Sequence, residues 1–377
     1  MSTPESLDPG RLTPIGPATV IGRYNVHKKL GAGSMGDVFL AVDDSLGRRA
    51  AIKLLGPKHL RNDTVKERFL REARALARLN HPNLITIYES GFFGEPPRPY
   101  FAMELLEGGD CQKLIEERGP LPSGVVALIG AQAAAGLGEA ARAGIIHRDV
   151  KPANLGITAH GVLKVTDFSL AKSLATEKSL TGKGMVVGTA DYIAPEQARG
   201  EDLDERADLY SLGCTLFHLL TGKPPFRAEK GTEVQKYIDV MKAHLTAPIP
   251  DPRKFVQGPD EELCKIVARM MTKDLHDRPS FAEVAPQLQR VAQRLGGELP
   301  RVTRALFTLP TGVEVPPAIA AAAETAAEPL PAAKAAPAPP APSSVELPPH
   351  GRSNRSFVVA IIVAALAGGA IAALLVR

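Results

Sequence analysis

The chain is poor in the residues that would commit it to several large functional classes. It has no tryptophan, and aromatics make up 5% of its 377 residues. No basic run with interleaved aromatics occurs, and 45 basic residues stand against 41 acidic ones. A net charge of +4 is too small to track a phosphate backbone, so no nucleic-acid partner is expected. There are three cysteines, Cys111, Cys214 and Cys264, far apart and without metal-ligand spacing. That excludes a disulfide scaffold and a zinc cluster, and it fits reduced thiols in a cytosolic domain. The first 23 residues hold no apolar run, so no signal peptide is expected.

The exception to this sparseness is residues 357–376, FVVAIIVAALAGGAIAALLV, uncharged throughout. At about 1.5 Å per residue such a helix spans roughly 30 Å, the thickness of a bilayer's hydrocarbon. The run follows a Pro/Ala tract with no further domain to bury it, which predicts one C-terminal transmembrane helix. Arg352 and Arg355 precede it and only Arg377 follows, a small bias toward a cytoplasmic amino-terminal side. Small residues recur every four at Ala364, Gly368 and Ala372, and again at Ala365, Gly369 and Ala373. This spacing would pack two such helices into a homodimer, and a plain alanine-rich anchor accounts for it equally well. Residues 296–356 read as a linker, because eleven of the 33 prolines fall between Pro310 and Pro349 among alanines and few large apolar residues. Residues 1–23, with Pro4, Pro9, Pro14 and Pro17, read as a disordered leader. A domain at 24–295 remains, long enough for a sizeable core.

From Tyr24 the pattern is strand, turn, strand: YNVHKKL, GAGSMG, DVFLAV. The glycines Gly31, Gly33 and Gly36 form a GxGxxG that alone also suggests a dinucleotide fold. A dinucleotide loop opens a helix, however, and the β-rich stretch after Gly36 continues as a strand. Glycines in such a hairpin let backbone N–H groups approach phosphates. A third strand, AAIKLL, sets Lys53 among apolar residues. In a helix predicted at 65–79, Val65, Phe69, Ala73 and Leu76 form the apolar face, with Glu72 on its inward side. A buried carboxylate needs a partner, and Lys53 is the obvious one. Strands are expected at 84–88 and 100–104, then a connecting MELLEGG, then an alanine-rich buried helix at 123–143. Asp110 could reach a ribose or cap a helix.

Residues 145–167, IIHRDVKPANLGITAHGVLKVTD, organise the rest. An apolar pair leads into a loop with His147, Arg148, Asp149, Lys151 and Asn154, and a turn at His160-Gly161 leads into a strand ending on Asp167. Two carboxylates, a lysine and a carboxamide suit phosphoryl transfer: a base for a hydroxyl, a cation for the phosphate, oxygen ligands for Mg²⁺. HRDxKPxN followed by Asp167-Phe168 resembles the eukaryotic-like Ser/Thr protein kinases of bacteria. The resemblance covers about 270 residues with every major motif in order.

The resemblance implies an α+β, two-lobed protein-kinase fold: a small five-stranded sheet with one helix and a larger helical lobe, followed by the C-terminal transmembrane helix. It places ATP against Leu30, Gly31, Ala32, Gly33, Ser34, Met35 and Gly36, with Val38 and Ala51 at the adenine. Lys53, ion-paired with Glu72, would contact the α- and β-phosphates. Met103 would back the adenine pocket, and the backbones of Glu104 and Leu106 would pair with the adenine edge. Asp149 is the implied catalytic base, Lys151 the γ-phosphate contact, and Asn154 and Asp167 the ligands of Mg²⁺, with Mn²⁺ admissible in its place. Asp208 would bond the catalytic-loop backbone, and Arg278 would pair with Glu196.

One departure is visible. The family's Asp-Phe-Gly is here Asp167-Phe168-Ser169, which removes a glycine's freedom at a switch position. Altered switching with activity retained is the expectation, and a pseudokinase scaffold is the alternative. Gly156 stands where an apolar residue is usual. The segment 167–196 offers Thr176, Ser179 and Thr181 as autophosphorylation sites that would pair with Arg148, and Thr189 matches a threonine near the substrate site. The implied function is transfer of the γ-phosphoryl of Mg-ATP to Ser or Thr of protein substrates. The chain would be a single-pass protein of the cell membrane with its kinase domain in the cytoplasm.

Overall fold

Apolar alternation and turn glycines build the small lobe. The computed structural model describes residues 13–33, 35–168 and 190–301. The chain divides into two units, Met1–Leu306 and Phe307–Arg377, and every described residue belongs to the first. The strands β1 (Val20–Ile21), β2 (Tyr24–Ala32), β3 (Gly36–Asp43), β4 (Arg48–Leu55), β5 (Ile87–Phe93) and β6 (Arg98–Glu104) form one sheet, ordered β1-β2-β3-β4-β6-β5. One face buries Tyr24, Val26, Ala41, Ile52 and Leu54. The other carries Leu55 and Phe101 against Phe69 and Ala73 of helix α1 (Asp63–Leu76). Asn62 caps α1 by accepting from the Val65 N–H at 3.2 Å.

Two sequence expectations change here. The sheet has six strands, because β1 pairs Val20 with Asn25 and Ile21 with Tyr24. Residues 13–23 of the expected leader are therefore ordered: Ile21 is fully buried, and the Thr13 hydroxyl accepts from the Glu95 N–H at 2.9 Å. Prolines alone suggested disorder, but an apolar pair beside an open sheet edge gains both ladder bonds and burial. The strand expected at 84–88 begins instead at Ile87. Before it, the Ile85 N–H donates to the Val165 carbonyl at 3.1 Å, and the Val165 N–H donates to the Asn83 carbonyl at 2.9 Å. This stretch thus leaves one lobe and pairs with the other.

The large lobe holds α2 (Cys111–Arg118), α3 (Ser123–Arg142), α4 (Pro195–Arg199), α5 (Glu205–Thr221), α6 (Glu233–Thr246), α7 (Glu261–Met270) and α8 (Phe281–Arg294). A hairpin of β7 (Leu155–Ile157) and β8 (Leu163–Val165) lies with them. Among the described residues α3 is the one helix long and apolar enough to cross a membrane. Its Val126, Ile129, Ala133 and Leu137 are buried in the lobe's core, and it packs on α5 and α8, which makes it core scaffold. From Ala207 to Thr221 α5 is buried on every side. Hydrophobicity all round is what a central helix requires. The expected membrane segment 357–376 lies outside the described residues, as does the linker beyond residue 301.

Candidate functional site

Strand register assembles the first half of the site. Val38 of β3 lies opposite Lys53 of β4, and Lys53 lies opposite Phe101 of β6, while Ala51 faces Met103. Side chains alternate across a sheet, so Val38, Ala51, Lys53 and Met103 share one face. The turn after Leu30 closes with the Gly33 N–H donating to the Gly36 carbonyl at 2.7 Å. A Cβ at Gly36 would collide with the Leu54 carbonyl, so only glycine lets this hairpin lie against β4. Gly31 differs: a Cβ there meets nothing within 4 Å, which leaves the room a phosphate needs. Ala32 and Met35 flank the turn, and Ser34 lies outside the described residues.

The Lys53 ammonium lies 2.7 Å from Asp167 Oδ1. The expected Lys53–Glu72 ion pair is not formed. Glu72 is 2% exposed on the buried face of α1, and burial pushes its carboxyl up to about 7, with Lys53 pulling down and Asp167 pushing up. For Asp167, partial desolvation in the site opposes the charge, but Lys53, His147 and Lys151 together hold its carboxyl below the usual range. The physical reason for the exchange is competition for one cation: half-exposed Asp167 makes a direct charge-assisted hydrogen bond. Asp167 takes φ +53° and Arg148 φ +66°, conformations that cost a non-glycine residue of order 1 kcal/mol or more.

The loop after α3 supplies the other half. Lys151 Nζ donates to Asp149 Oδ2 at 2.9 Å, and the Asn154 amide donates to the Asp149 carbonyl at 2.7 Å and to Oδ2 at 3.2 Å. Asn154 is in turn bound through its carbonyl to the Thr166 N–H at 2.9 Å, next to Asp167. Buried Asp208 at the start of α5 holds the loop in place, accepting from the His147 N–H at 2.6 Å and the Arg148 N–H at 2.7 Å. Burial drives its carboxyl up to about 7, against those two hydrogen bonds. The His147 ring packs at a tilt against the fully buried Phe168, with centroids 4.4 Å apart. Both are packed residues.

The segment between lobes is tied by side chains as well as backbone. Glu104 pairs with Lys164 of β8 at 2.9 Å, and Glu107 pairs with Arg49 of β4 at 2.5 Å. The Glu104 N–H is spent on the Thr86 carbonyl at 2.9 Å, leaving its own carbonyl for another donor. Asp110 caps α2, accepting from the Lys113 N–H at 2.9 Å. Gly156 is explained by Leu106: a Cβ there would collide with the leucine Cδ1. The leucine fills the space that a larger residue at 156 would occupy.

A family model for the protein kinase domain matches residues 24–288. The chain belongs to the protein kinase family. It is 38% identical to the serine/threonine-protein kinase PknB of Mycobacterium leprae over 290 residues, covering 76% of this chain and 46% of that protein. It is 33% identical to PknL of Mycobacterium tuberculosis, covering 77% of this chain and 70% of that protein. The solved kinase domain of Mycobacterium tuberculosis PknI superposes with a TM-score of 0.56 at 26% identity. That match covers 74% of this chain and all of the solved one. The chain spans about half the length of the PknB relatives it matches.

Arg278 Nη1 and Nη2 grip the Glu196 carboxylate at 2.6 and 2.7 Å, both side chains buried. Gln197 donates to the Arg148 carbonyl at 3.1 Å, linking α4 to the loop of Asp149. Ser169, Thr176, Ser179, Thr181 and Thr189 lie outside the described residues. The side-chain roles of Lys164, Arg49 and Glu107 were missed in the sequence, since charged residues on strands and loops read as solvated until the register pairs them.

Proposed function

We propose that this chain is a protein-serine/threonine kinase that transfers the γ-phosphoryl of ATP to protein hydroxyls, its own included. One observation carries the reading: Lys53 bonds Asp167 at 2.7 Å, Lys151 and Asn154 bond Asp149 at 2.7–3.2 Å, and the Thr166 N–H, next to Asp167, ties the two sets through the Asn154 carbonyl at 2.9 Å. Lys53 binds the α- and β-phosphates, under the open face of Gly31. Asp149 orients the incoming hydroxyl and takes its proton, and Lys151 holds the γ-phosphate beside it. The donor chemistry fits a hard divalent cation: a half-exposed carboxylate on Asp167 and an amide oxygen on Asn154, whose amide nitrogen already serves Asp149. Mg²⁺, when bound, neutralises charge on the β- and γ-phosphates. Asn154 and Asp167 would hold it, with Lys53 bonded alongside to Asp167 Oδ1.

Thr176, Ser179 and Thr181 are the proposed autophosphorylation sites, with Arg148 as their cation, and Thr189 is proposed as a substrate-site residue. Residues 357–376 anchor the chain in the cell membrane with the kinase domain in the cytoplasm, singly or as a homodimer. The test is phosphate incorporation from labelled Mg-ATP by the full chain, beside Asp149→Asn and Lys53→Ala. Label in the native chain, cut about 10²–10⁴-fold in Asp149→Asn, is expected. Nucleotide binding without label, unrescued by Ser169→Gly, would instead make the chain a scaffold.

A further inference from the structure

The chain passes between its lobes at residues 83–86 and again at 104–109, and one side chain of the large lobe meets both passages. Lys164 stands at the centre of β8, opposite Gly156 of β7. It is 9% exposed. Its ammonium donates to the Leu84 carbonyl at 3.3 Å and lies 2.9 Å from Glu104 Oε2. The first passage hardly needs the lysine, because its backbone is already laddered to β8: the Ile85 N–H donates to the Val165 carbonyl, and the Val165 N–H to the Asn83 carbonyl. Among the described residues, what Lys164 alone supplies is a cation for Glu104.

Glu104 is the last rung of β6, opposite Ala50 of β4. Its N–H is committed to the Thr86 carbonyl, and residues 105–109 belong to no helix or strand. Its Oε2 is buried and accepts no hydrogen bond among the described residues, so the ammonium beside it is what offsets its charge. A buried carboxylate left without its cation is strongly unfavourable. Released from Lys164, the side chain would turn toward water, and at the end of a ladder the backbone is free to follow. The far end of the passage is held separately, by Glu107 on Arg49 at 2.5 Å and by the Gly108 N–H on the Ile157 carbonyl at 2.9 Å. Lys164 therefore governs the near end, where Glu104 sits.

We propose that Lys164 is a positioning residue for nucleotide selection. By pinning the Glu104 carboxylate it fixes the direction of the Glu104 carbonyl, the group that accepts from the adenine amino group. Lys164 acts through Glu104. The proposal rests on the reading of Gly31, Lys53 and Glu104 as a nucleotide site, and it adds what makes that site prefer a base with an amino group at this edge. A neutral donor at 164 would serve the Leu84 carbonyl, but only a cation serves Glu104 as well. Arginine keeps the charge, whereas methionine keeps the packing of the stem and drops the charge.

The experiment titrates ATP and purine riboside 5′-triphosphate, which lacks only the adenine amino group, into the full chain with Mg²⁺ by calorimetry. The native chain is expected to bind ATP about tenfold tighter than the analogue, the worth of one hydrogen bond. Lys164→Met should weaken ATP by about that factor and leave the analogue unchanged, so that the preference disappears, and Lys164→Arg should restore it. In phosphate transfer, KM for ATP should rise by the same factor with kcat unchanged. Arg49→Gln, which frees the far end of the passage, should keep the preference. Lys164→Met combined with Glu104→Gln orphans no buried charge and should also lack the preference, which keeps the test decisive if the single variant unfolds. Equal binding of both nucleotides by the native chain, a preference that survives Lys164→Met, or one that Arg49→Gln abolishes equally would overturn this proposal alone. A native chain that binds neither nucleotide would overturn the nucleotide-site reading and the proposal with it.

Discussion

Glu196→Gln should destabilise the kinase domain more than almost any other single-atom-scale change. In the native protein the Arg278 side chain is 0% exposed and that of Glu196 is 4% exposed. Arg278 is saturated: besides the two carboxylate bonds it donates to the carbonyls of Thr272 at 2.7 Å, Arg206 at 3.0 Å and Lys273 at 3.3 Å. The glutamine is the same size, but it withdraws the negative charge and turns an amide donor toward a guanidinium donor. An uncompensated buried charge costs about 3–5 kcal/mol. For a domain of this size that lowers Tm by roughly 10 °C, readable by calorimetry of the full chain. Removing both charges with Glu196→Leu and Arg278→Met should recover part of the loss but not all, because the three carbonyls then lack their donor. A Tm drop below about 2 °C in Glu196→Gln would refute the reasoning, since it would mean that the pair's desolvation cost already cancels its attraction.

The two glycine positions of the phosphate turn should separate fold from function. Gly36→Ala drives a Cβ into the Leu54 carbonyl and should cost about 1–3 kcal/mol in urea unfolding. Gly31→Ala meets open space and should leave stability unchanged while weakening ATP binding; equal stability losses in both would sink the distinction. The buried Glu72 predicts a pH dependence. Its carboxyl sits at about 7 in the folded chain against an ordinary 4.5, so its contribution is fully present below the ordinary value and is lost as pH rises through about 7. The shift corresponds to roughly 3 kcal/mol. Glu72→Gln should therefore gain on the native chain between pH 5 and 8 in thermal unfolding, and a gap that stays constant with pH would count against a buried, protonated Glu72.

Much of the site was legible because its chemistry is local. HRDxKPxN packs Asp149, Lys151 and Asn154 into one loop, and their mutual bonds span no more than five residues in sequence. The helical period put Glu72 on the buried side of α1, since 3.6-residue periodicity reports a face without knowing what lies against it. That logic fails for a partner. Lys53 could serve either Glu72 or Asp167, and Asp167 lies 114 residues away along the chain. The choice depends on distances of an ångström or so that no spacing encodes.

The glycine turn, the loop chemistry and the core identity of α3 were readable from residue order, because each follows from propensity, period or adjacency; the two lobes came from the resemblance to protein kinases. Tertiary structure alone decided the sixth strand, the pairing of residues 83–85 with β8, the ties of Lys164 and Arg49 to the segment between lobes, and the fit of Leu106 over Gly156. Each of these joins groups from separate elements, and their energies arise from burial and register. Both exist only after the chain has closed on itself.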